Sequence, residues 1–568
     1  MHSQPQLGQH GLAQISNSTS TISREATRHK GTADTHALIN TVRSAFRSIP
    51  LVANASFSAW RFAKPQGSWK AEVAQLFTPS RHKRKRGEAV DSPQHVSVKD
   101  EEASPGSVKR LKVTGASPRT PRTPRTPRTP RNSRNGPLNI APTQRHDVVV
   151  LGCGEDGELG LGSIKYEKKN PAVADKPRIN HLLRAEDVGV VQVAVGGRHC
   201  AALTHDGQVL TWGVNDSRAL GRDTRCEHAK HTDRDTTDLN PLESNPMPAE
   251  GLSRSGLSIA QVAATDNATF ALTDAGFVYG WGTFHASDGV YGFLREKMQK
   301  SKTPKYDSRF QVAPVRIEGL RNIKELSAGM NHVLALTESG DVYAWGSGQQ
   351  AQLGRRLVQR HQYESLTPRM VDLPKKGIAK IFAGFNHSFA LDRQGQVWTW
   401  GLNNFGQTGI PANDENLHIG NPTLVQGLKG YAILHIAGGF HHSLACTEEG
   451  QVLAWGRCDG SQMGMSTSTI PNDKFLFDSR GRPRILLNPT IIPGITATFV
   501  AAGIDNSLAI DTNGTVSSWG FSENFRTGLG TQKTVDVPTE LVGKGVANKA
   551  FTFAGCGGHF TVMTRPHV

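Results

Sequence analysis

Four histidines, His199, His332, His387 and His442, each follow a glycine by three residues and open a short apolar run, in GGRHCAAL, GMNHVLAL, GFNHSFAL and GFHHSLAC. An imidazole can serve as a general acid or base, a metal ligand or a buried hydrogen-bonding strut. Its return at one slot favours the strut, with a ring nitrogen bonded to backbone. Neither a Ser-His-Asp set nor a metal-ligand cluster at working spacing accompanies them. Gly152, Gly154 and Gly157 in GCGEDG satisfy G-x-G-x-x-G. That cradle for a pyrophosphate belongs between a strand and a helix, within a βαβ unit that does not follow here. Turn glycines explain the match. With no G-x-x-x-x-G-K-[ST], the chain is expected neither to bind GTP itself nor to carry a cofactor. Six cysteines, far apart and without a C-x-x-C, suggest neither a disulfide framework nor zinc, and fit a reducing compartment.

Charge divides the chain in two. Of Lys+Arg 65 and Asp+Glu 49 in 568 residues, residues 1–146 hold 24 and 8, leaving 41 of each sign behind. The whole net charge of +16 therefore belongs to an N-terminal segment rich in Ser, Thr, Pro, Arg, Lys and Gln, a composition that cannot bury a core. Residues 1–140 read as a disordered basic arm and 141–568 as a neutral body. The absence of an apolar run of about 18 residues argues against a membrane span, and the first residues lack the pattern of a secretory signal.

Within the arm, Lys83, Arg84, Lys85 and Arg86 are followed by Lys109, Arg110 and Lys112, two basic clusters joined by a polar spacer over 81–113. That is the pattern of a bipartite nuclear import signal and implies an import receptor as partner. Then comes SPRTPRTPRTPRTPR, where proline forbids helix and favours a left-handed extended form with three residues per turn. Arg119, Arg122, Arg125, Arg128 and Arg131 would line one edge, suited to a phosphate backbone and to salt-dependent, sequence-independent DNA binding. Ser117, Thr120, Thr123, Thr126 and Thr129 each precede Pro-Arg and are candidate phosphorylation sites. Five phosphates, at about −8 to −10, would cancel half or more of the arm's charge.

The body repeats itself. DGQVLTWG, AGFVYGWG, SGDVYAWG, QGQVWTWG, EGQVLAWG and NGTVSSWG place Trp212, Trp281, Trp345, Trp400, Trp455 and Trp519 in one slot, 55 to 69 residues apart. The histidine motifs precede them, so the unit is strand, turn, strand. Within the Trp strand, alternate residues are apolar on both faces, one face large and the other smaller, as stacked sheets require. The turn glycines supply the positive φ of a hairpin. HDVVVLGCG at 146–154 is the second half of a unit and AGCGGHFTVMT at 554–564 the first half. Together they complete a seventh, so an all-β, seven-bladed propeller is predicted, closed by its two ends in one blade.

These repeats, with GCGEDGELGLG and GVNDSRALGRDT after the first two, resemble the regulator of chromosome condensation family over nearly all of 146–568. WGTFHASDGVYGFL at 281–294 is similar to the β-wedge of members that act as guanine-nucleotide exchange factors for the small GTPase Ran. The resemblance implies that Phe284, His285, Ala286, Ser287, Asp288, Gly289, Val290 and Tyr291 form the exchange wedge. A protruding loop contributes little to a core, so Phe284 is expected to be dispensable to the fold. It implies a Ran-docking face at His199, Asp266, Asn331, His332, His441, His442 and His559. Asn331 departs from the family, which usually has Asp there. A basic loop at Arg355, Arg356 and Arg360 would meet the nucleosome, although its length and order differ from the family's. The expected function is nucleotide exchange on Ran at chromatin, in the nucleus, without covalent chemistry. The rival is a non-catalytic propeller adaptor for another protein, which would need no wedge.

Overall fold

A computed structural model describes residues 136–225, 237–252, 256–299, 306–547 and 550–568. The import clusters, the Ser/Thr-Pro-Arg segment and its phosphorylation candidates, at 81–131, lie outside the described residues.

Each DGxVxxWG motif becomes the third strand of an antiparallel sheet, and the apolar run after each histidine slot becomes the second. In blade 2 the strands from the axis outwards are Val190–Val195, His199–Thr204, Val209–Gly213 and Met247–Pro248. The turn between the second and third strands needs a left-handed residue, and Gly207 takes φ 81°. Blade 3 repeats this with Ile259–Ala264, Ala268–Thr273, Val278–Gly282 and Gln311–Arg316. Blades 4, 5, 6 and 7 begin at Ile323–Ala328, Ile378–Ala383, Ile433–Gly438 and Phe499–Ala502. Blade 1 is composite: His146–Cys153 lies between Val173–Ile179 and the C-terminal Phe560–Pro566, with Phe553–Cys556 innermost. Val148 faces Thr564 and Leu151 faces Thr561, so the two ends of the body share one sheet. Arg565 and His567 both reach the Asp147 carboxylate, at 3.1 and 3.0 Å. The innermost strands touch in a closed cycle around the axis.

All six repeat tryptophans are buried, and a recurring polar latch fixes four of them, Trp281, Trp400, Trp455 and Trp519, between blades. His387 Nε2 donates to Ser443 Oγ of the next blade at 2.8 Å. That hydroxyl donates to the Gln407 carbonyl at 2.8 Å, which also accepts the Trp455 indole N–H at 3.0 Å. His442, Ser507, Gln462 and Trp519 repeat the set, as do His332, Ser388, Gln352 and Trp400, and His199, Thr269, Ala219 and Trp281. The histidines are struts whose shared partner is a hydroxyl across the blade junction; the backbone bond that was expected occurs at His199, whose Nδ1 lies 3.3 Å from the Asp266 carbonyl, and not at His332, His387 or His442. Burial drives His332, His387 and His442 down to about 3 and His199 to about 4, so all four are neutral.

Candidate functional site

Antiparallel blades put the turn after each first strand and the loop after each third strand at the same end of the ring. At that end blade 3 departs from the pattern. Its loop rises into a hairpin, Phe284–Ala286 paired with Gly289–Gly292, with Ser287 and Asp288 exposed at the tip. Gly289 has φ 110° and open space around it, the freedom this tight turn needs.

The hairpin occupies a junction from which the latch is missing. Ala268 stands in blade 3 where blades 2, 4, 5 and 6 have histidine, and Val333 in blade 4 where blades 3, 5, 6 and 7 have a hydroxyl. The Trp345 indole N–H is buried without a partner. Apolar packing replaces the polar set: the Phe284 ring stacks on Phe270 and Phe293 at 6.0 and 5.7 Å, and Trp345 meets Phe270 edge-on. Phe284 is fully buried. Blade 4 grips the hairpin from the other side. Asn331 Oδ1 accepts the His285 N–H at 2.8 Å, and Gln349 Oε1 accepts from Ser287 N–H and Oγ at 2.9 and 2.8 Å. The Tyr291 hydroxyl donates to the Gln362 carbonyl and lies 3.0 Å from Ser365 Oγ.

The first-strand turns of the other blades ring the axis beside this hairpin. Asp266 accepts the Gly197 N–H at 3.0 Å, and burial pushes its carboxyl up to about 7. Met330, Phe385, Phe440 and Ile504 follow round the mouth, all half-buried, with Phe385 edge-on to Phe440 at 5.6 Å. His441 lies between Phe440 and Phe405, at 4.4 and 4.6 Å, and burial holds it well below its ordinary value. His559 Nδ1 accepts from Arg526 at 2.8 Å, and burial beside that guanidinium lowers it to about 4. Arg198 pairs with Asp216 at 3.6 Å and Arg457 with Asp505 at 3.7 Å. This end thus offers an apolar crescent, neutral imidazoles, a carboxyl poised near neutrality and a protruding loop. Among the described residues no group of three metal-binding side chains occurs.

An RCC1-like domain model matches residues 147–563. The chain belongs to the RCC1-like family. It is 42% identical to protein pim1 of Schizosaccharomyces pombe over 74% of this chain and 75% of that protein. It is 36% identical to guanine nucleotide exchange factor SRM1 of Saccharomyces cerevisiae, over 73% and 86%. Among solved structures it is similar to Prp20p of that yeast, described with its binding to Gsp1p and histones, at 33% identity and TM-score 0.66 over 76% of this chain and 94% of that one. The same yeast protein bound to Kap60 gives 32% and 0.67, over 79% and 97%.

Within this RCC1-like ring, the residues singled out from sequence divide into two sets. Asp266, Asn331, His441 and His559 surround the axis beside the hairpin. His199, His332 and His442 are fully buried with Nε2 engaged, so they brace that end without presenting a ring to a partner. Phe284 and Tyr291 are the hairpin's buried root, which corrects the expectation that Phe284 is dispensable to the fold. Arg355 is no free cation: it folds inward to donate to the Ala344 carbonyl at 2.8 Å, and burial lowers it to about 10. Arg356 and Arg360 are exposed. Sequence reasoning missed Met330, Phe385 and Phe440, which precede the recurrent slot within the same motifs. The opposite end of the ring takes the incoming chain. Asn139 bonds the Thr273 and Ile323 carbonyls at 3.0 and 2.9 Å, and Arg145 reaches His205 at 2.7 Å, both beside the glycine turns. Leu138 lies against the Gly276 turn, so the body's packing begins there, just before the boundary drawn from composition.

Proposed function

We propose that this chain is a guanine-nucleotide exchange factor for Ran that works on chromatin. The observation that carries the reading is the blade 3 hairpin, anchored by Phe284 and Tyr291, gripped by Asn331 and Gln349, and exposed at Ser287 and Asp288. An adaptor has no use for a rigid loop standing off its docking face. The chain's similarity to a named exchange factor, and to a protein described as binding Gsp1p and histones, supports the same reading.

Exchange requires no covalent step. A factor that binds nucleotide-free GTPase more tightly than the loaded form weakens nucleotide binding by the same ratio. Each tenfold of that preference corresponds to about 1.4 kcal/mol. In this reading the GTPase seats on Asp266, His441, His559 and the apolar crescent. The tip at Ser287 and Asp288 then presses on the phosphate-binding loop and switch region and displaces the contacts that hold nucleotide and Mg²⁺. Asn331 serves as the hairpin's acceptor, a task that an amide oxygen performs as a carboxylate would and without burying a charge.

The basic arm, with Arg119 to Arg131, supplies chromatin affinity, and Arg356 and Arg360 add to it. The clusters at 83–86 and 109–112 engage an import receptor, in keeping with the yeast relative solved with Kap60. The test is release of labelled guanine nucleotide from Ran with and without the full chain. Release unchanged by the chain refutes the reading.

A further inference from the structure

Blade 6 carries a fifth strand. Phe475–Phe477 pairs antiparallel with the start of the 14-residue strand Pro483–Thr496, Leu476 facing Ile485 and Phe477 facing Pro483. The connecting turn is braced from within. Asp478 accepts the backbone N–H groups of Arg480 and Arg482, each at 2.9 Å, and the Arg482 guanidinium at 2.8 Å. Gly481 takes φ 72° to close it. The root is equally fixed: Arg484 lies over the Phe405 ring at 5.3 Å, and Ile485 packs with Phe405 and Ala412 of blade 5.

What this rigid hairpin presents is unusual for a solvent-facing loop. Leu476 and Phe477 are 38% and 43% exposed, and Arg480 stands free at the tip beside them. Three arginines meet one aspartate within 475–484. An aromatic and an arginine on a pre-organised support are the residue types that anchor protein interfaces. The hairpin follows the third strand of its blade, which places it at the same end of the ring as the blade 3 hairpin. It lies three blades away, the widest separation that a seven-membered ring allows.

We propose that the blade 6 hairpin is a second contact for the GTPase on which the blade 3 hairpin acts, gripping an acidic, apolar-flanked segment on its far side. The proposal rests on the exchange-factor reading. A body that straddles the axis from one hairpin meets the other, and the half-exposed crescent between them makes the surface continuous. The blade 6 contact holds the GTPase in register while the blade 3 tip acts on the nucleotide site, so it contributes to binding and leaves the exchange step to the tip.

The full chain is compared with its Arg480→Glu variant and with a Leu476→Ser, Phe477→Ser variant. Nucleotide release is measured across Ran concentrations at two ionic strengths, and melting is recorded on the same samples. Both variants should raise KM about tenfold with kcat and melting held, and Arg480→Glu should also flatten the dependence on salt. A wild-type KM in Arg480→Glu, or a fall in kcat at constant KM, overturns the second contact while exchange by the unaltered chain keeps the exchange reading. Loss of histone or DNA binding with KM unchanged also overturns it, by assigning the hairpin to chromatin. An unaltered chain that releases no nucleotide removes the exchange reading and this contact with it.

Discussion

Phe284→Ala should unfold the blade 3–4 junction before it reveals anything about exchange. The ring is fully buried and stacks on Phe270 and Phe293, with Trp345 in the same cluster. Truncating a buried Phe to Ala costs about 3–5 kcal/mol when the cavity cannot collapse. Collapse is opposed here because the walls are strands of two blades held by their own ladders. No His-hydroxyl latch crosses this junction to share the load. The tip differs: shortening Ala286–Asp288 removes the exposed Ser287 and Asp288, the half-buried Ala286 and the bonds from Ser287 to Gln349, a loss of about 1 kcal/mol. Denaturant unfolding and nucleotide release, measured on both variants, should therefore separate. Phe284→Ala should lose several kcal/mol of stability, whereas the shortened tip should stay folded and lose exchange. A Phe284→Ala protein as stable as its parent yet inactive would refute the packing argument and return Phe284 to the working surface.

Four further outcomes are expected. Deleting Val562–Val568 removes the partners of Val148–Val150 together with the Arg565–Asp147 ion pair, and should abolish cooperative melting; melting like the full chain would mean that the ends do not close the ring. Ser443→Ala leaves buried His387 without its acceptor and should cost about 1–3 kcal/mol in denaturant unfolding, with exchange kinetics unchanged. Asp266, raised to about 7 by burial against an unfolded value near 3.9, adds stability that is complete below about pH 4 and is lost as pH rises through 7. Asp266→Asn should flatten the stability profile in that window, and an unaltered profile would remove the assignment. Deleting residues 1–135 should lower the slope of log DNA affinity against log salt by about 0.9 for each phosphate that the arm neutralises, leaving exchange on free Ran intact; an unchanged slope would take the arm out of chromatin binding.

The architecture was legible because it repeats. A tryptophan returning in one slot, a turn glycine at a fixed distance before it and two complementary half-units give the blades and their order without any knowledge of packing. What lay across blade junctions was not legible. The histidine slot predicted a strut but could not reveal a hydroxyl some 56 residues downstream, as for His387 and Ser443. The motif around Phe284 gave a protruding loop, but its burial depends on Ala268 and Val333 vacating the latch positions, a coincidence between two different repeats. Arg355 looked like part of a surface cluster because a sequence shows the charge and not the carbonyl it turns inward to meet. The bond from Asn331 to the hairpin was hidden for the same reason, since the two are 46 residues apart.

Trp345 gives the ring an internal gauge. Trp212, Trp281, Trp400, Trp455 and Trp519 each donate their indole N–H to a loop carbonyl of the preceding blade, whereas the N–H of Trp345 has no partner. An indole without a hydrogen bond in apolar surroundings emits to the blue of its bonded counterparts. The chromophore with that distinct signature shares a cluster with Phe284, at the foot of the loop proposed to move nucleotide. Strain delivered to the loop by a docked partner would reach Trp345 through Phe270, so its emission can report engagement from inside the unlabelled protein.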